Sequence, residues 1–217
     1  MAISNQRRPP GRHPQRDDYL PSFVLHAHQL LKLGYETLNV AEFAAAREET
    51  ITGSLTAAMK SVLRSRTAPE WTADLTVHDE VYIEDGIRRG KRRLRIDIEF
   101  EQVRRGPRPI FQFEAKRLRS VASVHAYLGS GGLGCFLDGR YAKDQDIAGM
   151  LGYIQSGTVE QRAAQLASKL DKHRSTLGTG RWHIRALVPT LPTFQTRHRR
   201  TGRLGPITIL HSLLPFC

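Results

Sequence analysis

With 217 residues, 33 Lys and Arg against 21 Asp and Glu, a formal charge of +12 and 40% hydrophobic residues, the chain falls in the ordinary globular class and outside the disordered and membrane classes. That length suits one domain of about 100 to 200 residues, expected over 19–217 behind a flexible basic tail at 1–18. Its basic surface attracts polyanions, nucleic acid first among them. Cys135 and Cys217 exclude a disulfide framework and a cysteine-ligated metal, and no apolar run suits a signal peptide or bilayer span, so a cytoplasmic location without membrane contact is expected.

The tail is rich in Arg, Pro and Gln and nearly free of apolar side chains, which leaves little to offset the entropy of ordering it. From Pro21 apolar residues return, and Phe23, Val24, Leu30 and Leu31 predict a short helix that Gly34 ends. A longer helix is expected over 40–64, because Ala44, Ile51, Leu55, Ala58 and Val62 recur at helical spacing. Leu75–Ile83, with its β-branched and aromatic residues, reads as a strand despite an acidic interruption. Next, Leu94, Ile96, Ile98 and Phe100 alternate with Arg93, Arg95, Asp97, Glu99 and Glu101, the period of a half-buried strand. After the turn-rich segment 104–109, Phe111, Phe113 and Ala115 alternate with Gln112, Glu114 and Lys116, so the two runs predict an antiparallel hairpin.

Beyond the hairpin, a glycine-rich loop at 129–134 precedes helical patterns at 147–154 and 159–170, and apolar runs at 183–188 and 207–214 read as late strands. No Gly-Lys-Ser/Thr follows the glycines, which argues against a nucleotide phosphate loop. The nine histidines, His26 and His28 among them, lack zinc-site spacing.

The hairpin carries the chemistry. Asp97 and Glu114 fall on its polar face, and directly opposed side chains of an antiparallel pair sit roughly 4.5 to 5.5 Å apart. Two carboxylates that close repel unless a cation lies between them. Mg2+, which takes oxygen ligands at about 2.0 to 2.1 Å and keeps several waters, suits such a pair. Lys116 shares this face roughly 6.6 Å beyond Glu114, where its ammonium could orient a water or stabilise charge on a phosphate. A cross-strand salt-bridge ladder would use the same residue types. It does not explain the surrounding positive charge: Arg88, Arg89, Lys91, Arg92, Arg93 and Arg95 precede Asp97, and Arg117 and Arg119 follow Lys116, as phosphate contacts require. His198, Arg199 and Arg200 form a further cluster that could line a nucleic-acid groove.

The two halves, Arg95-Ile96-Asp97-Ile98-Glu99 and Phe113-Glu114-Ala115-Lys116, resemble the motif of the PD-(D/E)XK, or restriction-endonuclease-like, nuclease superfamily: an acid on one strand, then an acid, any residue and Lys on the next. Ile96 stands where the motif's name has proline. The resemblance implies an α/β fold with a restriction-endonuclease-like core, a central mixed sheet flanked by helices. It implies a metal-dependent nuclease, with Mg2+ (Mn2+ as a substitute) held by Asp97, Glu114 and the carbonyl of Ala115, and with Lys116 positioning the attacking water. DNA stands ahead of RNA as substrate, and endonucleolytic ahead of exonucleolytic cleavage.

The family also implies an acid on an upstream helix, Glu48 or Glu49. At about 100° per residue, Glu48 falls within about 40° of the stripe of Ile51, Leu55 and Val62, while Glu49 points away; a helix break near Thr50 would undo that preference. Glu99 shares the face of Asp97 as an outer contact, and Glu101 reads as a solvated face residue. Restriction, phage defence, repair and mobile elements all employ the superfamily, and a small catalytic subunit of a defence system suits this chain. The rival is a catalytically inactive nucleic-acid-binding subunit of the same fold that scaffolds a complex, with a protein partner or a second copy of the chain left open. A basic RNA-associated factor without nuclease ancestry is the third alternative. No base-reading set stands out, so specificity is not legible.

Overall fold

Seven strands form one mixed sheet in the computed structural model of the chain, which describes residues 14–84, 88–103, 108–178, 182–185, 187–202 and 204–217, those at 14–19 and 91 by backbone alone. In chain order they are β1 (Leu75–Ile83), β2 (Leu94–Gln102), β3 (Ile110–Leu118), β4 (Ile147–Ile154), β5 (His183–Ile184), β6 (Thr193–His198) and β7 (Ile207–Pro215). The spatial order is β1-β2-β3-β4-β7-β6-β5. Neighbours β1, β2 and β3 are antiparallel, β3, β4 and β7 run parallel, and β7, β6 and β5 alternate again.

Helices cover both faces. On one side α1 (Pro14–Glu36) and α2 (Glu48–Arg64) bury Leu30, Leu31, Ile51 and Leu55 against Phe100, Phe111, Phe113 and Tyr153. On the other, α3 (Val121–Leu128), α4 (Leu133–Leu137) and α5 (Val159–Lys172) bury Val124, Phe136 and Leu166 against Leu118, Met150 and Ile209. Each such side chain contributes about 1.5 to 3 kcal/mol of transfer free energy, which is why the three central strands are apolar on both faces. A short α6 (Arg174–Leu177) follows α5. The fold is therefore α/β, a seven-stranded mixed sheet flanked by helices. Among the described residues, no helix is long and apolar enough to cross a membrane.

Several elements differ from the sequence expectation for identifiable reasons. Of the expected tail, residues 1–13 lie outside the described residues, while 14–18 belong to α1. Gly34 does not end that helix, which continues to Glu36. Its missing side chain serves packing, since a Cβ there would lie 2.5 Å from Met59 Cγ of α2. The helix expected over 40–64 is two pieces, a 3-10 turn at Val40–Phe43 and α2 from Glu48, and Ala44 is exposed between them.

Residues 147–154 form not a helix but β4, the central strand. A short apolar run reads equally as either, and burial on both faces removes the alternation that marks a strand. Gly149 and Gly152 let Phe113, Leu118 and Leu213 cross its surface, the place of a Gly149 Cβ being filled by the Phe113 ring. The strand expected at 183–188 shrinks to His183–Ile184, and β6 at Thr193–His198 takes the position beside β7.

Candidate active site

The hairpin forms as expected and then opens. Ladder pairs join β2 to β3 from Glu101↔Ile110 to Ile98↔Phe113; among the described residues none continues the ladder, although both strands run on. Carried one residue further, this register sets Asp97 opposite Glu114 at the mouth of the opening. On the other side of β2, the ladder with β1 pairs Asp79↔Ile98 and Val81↔Ile96 and omits Glu80 and Asp97 between them. Glu80 takes a φ of 50°, a left-handed conformation costly for a residue with a Cβ.

The buried face of β2 changes at the same place. Ile98 and Phe100 join the core under α1 and α2, whereas Ile96 joins the core under α3 to α5. The single apolar face expected for Leu94, Ile96, Ile98 and Phe100 is thus two half-faces with Asp97 at the changeover. The freed backbone is satisfied by side chains: Asp97 Oδ2 accepts from the Ala115 amide at 2.7 Å, and Tyr141 Oη donates to the Arg95 carbonyl at 2.7 Å.

Four charged groups meet in the opening. Lys116 Nζ donates to Glu114 Oε1 at 2.8 Å, Glu48 Oε1 at 2.8 Å and its neighbour's Ala115 carbonyl at 2.7 Å. Glu48 Oε2 accepts from the Arg117 amide at 3.1 Å. Glu48 opens α2, and the break before that helix lets it reach the end of β3; Glu49 is exposed one position on. The upstream acid in contact with the cluster is therefore Glu48, not Glu49.

Burial dominates the electrostatics. It raises the Glu114 carboxyl to about 8, helped by the Asp97 charge and opposed by Lys116. Asp97 is raised too, first by burial, against the pull of Lys116 and the Ala115 amide. For Lys116 burial acts downward, but Glu114, Glu48 and Asp97 outweigh it and hold the ammonium above its ordinary range. One ammonium thus faces three carboxyl groups, of which Glu114 keeps its proton at neutral pH.

The donor set fits a hard divalent cation. Glu114 Oε2 is buried with no donor facing it among the described residues, and Asp97 is within hydrogen-bonding reach of the Glu114 carboxyl; two carboxyls that close need a shared proton or a cation between them. Asp97 adds a second carboxylate beside it, and the Ala115 carbonyl a neutral oxygen. Among the described residues no three His, Cys, Asp or Glu are grouped as metal ligands. Two carboxylates and a carbonyl leave the remaining positions to water, which Mg2+ retains readily.

Residues that sequence reasoning passed over frame the cluster. Gln112, on the face of Glu114, donates to Glu99 Oε2 at 2.7 Å and accepts from the Ala142 amide at 3.0 Å. Tyr153 Oη and Thr52 Oγ1, 3.0 Å apart, lie buried between β4 and α2. Alternation along β3 could have singled out Gln112; Tyr141 and Ala142 come from a loop without any such signal. Glu101 pairs with Arg108 at 3.3 Å on a solvated face.

The expected nucleic-acid contacts divide. Arg88, Arg89, Arg92 and Arg119 are exposed, and the Lys91 side chain lies outside the described residues. Arg93 lies 4.1 Å over the Tyr82 ring. Arg117 reaches the Ala46 carbonyl at 3.3 Å, partly engaging its guanidinium. His198 is 1% exposed, with its ring nitrogens 2.7 Å from Thr196 Oγ1 and 3.0 Å from the Leu177 carbonyl, so it is a core residue and has no donor left for a phosphate. The Arg200 guanidinium binds the carbonyls of Ala142, Gln145 and Gly205 at 2.8, 2.9 and 2.6 Å, which makes it a loop clamp.

No family model matches the chain, no curated protein matches it, and no solved structure matches it.

Proposed function

We propose that this chain is a divalent-metal-dependent nuclease with a restriction-endonuclease-like core, hydrolysing phosphodiester bonds in DNA as an endonuclease, and that it serves as the effector of a phage-defence or restriction system. The observation that carries the reading is the convergence of Asp97, Glu114, Lys116 and Glu48 where β2 and β3 part, with the carboxyls of Asp97 and Glu114 buried against each other. A salt-bridge ladder accounts for Lys116 with Glu114. It does not account for Asp97 buried in contact with a second acid, a pair that a shared proton holds without metal and a divalent cation would hold on displacing that proton.

Asp97, Glu114 and the Ala115 carbonyl would hold Mg2+ or Mn2+. Bound there, the ion would lower the pKa of a coordinated water and neutralise charge on the scissile phosphate. The chain's own part is positional. Lys116, steered by Glu48 and Glu114, presents an ammonium fixed in direction, able to orient a water or to donate to a phosphate oxygen. Glu48 acts through Lys116 and through the Arg117 amide. Gln112 ties Glu99 to the 141–142 loop and keeps that wall of the site in place.

The test is incubation of the pure protein with plasmid, linear duplex, single-stranded DNA and RNA, each with Mg2+, Mn2+ or EDTA. Metal-dependent cleavage of DNA is expected for the wild type, with none from Asp97→Ala or Lys116→Ala of unchanged circular dichroism. Undiminished cleavage by Asp97→Ala removes this active site. Nucleic-acid binding without cleavage under any metal would instead identify an inactive binding subunit of the same fold.

A further inference from the structure

Of the cluster His198, Arg199 and Arg200, expected to line a nucleic-acid groove, His198 and Arg200 are engaged internally. The residues beside them are not. Arg197 and Arg199 are exposed, and among the described residues neither has a carboxylate partner. They open onto a cleft of about 850 Å³ lined also by Arg174, Arg200, Leu204 and Pro206, with no acidic residue among its described lining; Asp144 and Asp146 lie near enough to act on Arg200. Arg174 is paired with Asp171 outside the cleft. At one side of the cleft the Arg199 amide donates to the carbonyl of Gly178 at 2.9 Å, and Gly178 takes the left-handed conformation that ends α6.

The cleft lies well away from the acid cluster. Arg197 pairs with Thr208 on β7, five residues back from Leu213, while Lys116 is aligned with Leu213 through Gly152. Those five residues and the three strand spacings from β3 to β6 place the two sites on the order of 20 Å apart. At about 3.4 Å per nucleotide along one strand, that separation corresponds to roughly six nucleotides. An arginine presents a planar fork that matches phosphate oxygens, and Arg197 and Arg199, exposed side by side without a carboxylate partner among the described residues, offer two such forks to a polyanion.

We infer that this arginine cleft is a second anchoring site for the phosphodiester backbone of a nucleic acid, gripping it about half a helical turn from the bond at Asp97 and Glu114. The inference rests on the nuclease reading for its substrate, but it concerns residues remote from the chemistry. Sequence is not read there, since fork-to-phosphate contacts carry no base information.

The experiment is fluorescence anisotropy of a labelled 24-base-pair duplex in EDTA, over a salt series, with the full chain. Arg197→Ala/Arg199→Ala should bind about tenfold more weakly at low salt, and its log K against log salt should be shallower by roughly two, as loss of two phosphate contacts requires. Arg197→Lys/Arg199→Lys, which keeps the charges but loses the forks, should fall between the wild type and the alanine variant in affinity and keep the wild-type slope. An alanine variant with wild-type affinity and slope overturns the inference, as does a lysine variant whose slope falls as far as that of the alanine one. Wild-type protein that binds no duplex at any salt would sink the nuclease reading together with the cleft. Wild-type binding that ignores Arg197 and Arg199 sinks the cleft alone.

Discussion

Glu114 is the residue at which charge, protonation and stability meet. Its carboxyl is raised to about 8 by burial and by Asp97, against an ordinary value near 4.3 in the unfolded chain. The folded state therefore holds an extra proton between those values, and stability falls as pH rises through that window. Glu114→Gln removes the effect. Its melting temperature should exceed that of the wild type by several degrees at pH 8.5 and match it near pH 4, read by differential scanning calorimetry. The same proton competes with metal, so Mn2+ uptake measured by titration calorimetry should strengthen from pH 6 to pH 8 and release about one proton per ion. Uptake insensitive to pH over that range would remove Glu114 from the ligand set. At the neighbouring acids, Glu48→Gln should lower cleavage about 10- to 100-fold through the misplaced Lys116, whereas Glu49→Gln, exposed and one position away, should leave it unchanged.

Among the elements, the parting of β2 and β3 makes the site, and the pieces around it are held in conformations that a relaxed chain would avoid. Glu80, on β1 opposite Asp97, and Ala142, against Gln112 of β3, both take positive φ, 50° and 48°. Ala142 is fixed by its amide on Gln112 and its carbonyl on Arg200. Because glycine adopts that conformation freely, Ala142→Gly should stay within about 0.5 kcal/mol of the wild type in urea unfolding, relief of strain offsetting the added chain entropy. Gly149→Ala, by contrast, pushes a methyl into the Phe113 ring at the centre of the sheet and should destabilise by about 1 to 3 kcal/mol. A larger loss at Ala142 than at Gly149 would contradict this account of the loop.

For the whole molecule, three buried histidines oppose the pH trend set by Glu114. Burial lowers His28 to about 4, against a hydrogen bond to the Val24 carbonyl. It also lowers His198 and His211, the latter further depressed by its neighbour. These two belong to one chain of hydrogen bonds in which Tyr127 Oη, His211, Thr196 Oγ1, His198 and the Leu177 carbonyl are linked in series. All its donors and acceptors match when both rings are neutral. Unfolding lets the rings take up protons below their ordinary value near 6.5, so stability is lost as pH falls from there toward 4. Urea midpoints should therefore peak between about pH 5 and 7 and fall on both sides. His28→Phe should flatten the acid limb and leave the alkaline limb, which belongs to Glu114, in place.

Local sequence determined a good deal of this. Alternation placed β2 and β3 and brought Asp97, Glu114 and Lys116 to facing positions of the two strands, because a strand writes its period into the residue types; that this face is buried at Glu114, and that β2 changes face at Asp97, it did not show. The apolar stripe of α2 likewise pointed to Glu48 over Glu49. What it could not convey was decided by long-range contact. Residues 147–154 became a central strand because burial on both faces erases the period, and Gly34 stayed within α1 because Met59 needs its space. His198 and Arg200 read as surface charge, yet their partners Thr196, Leu177, Ala142 and Gly205 reach them only once β6, α6 and the 138–146 loop are packed together. The β2–β3 opening is likewise invisible in the hairpin's own residues. It depends on Glu80 of β1 and Tyr141 of a distant loop, and a period of two carries no information about either.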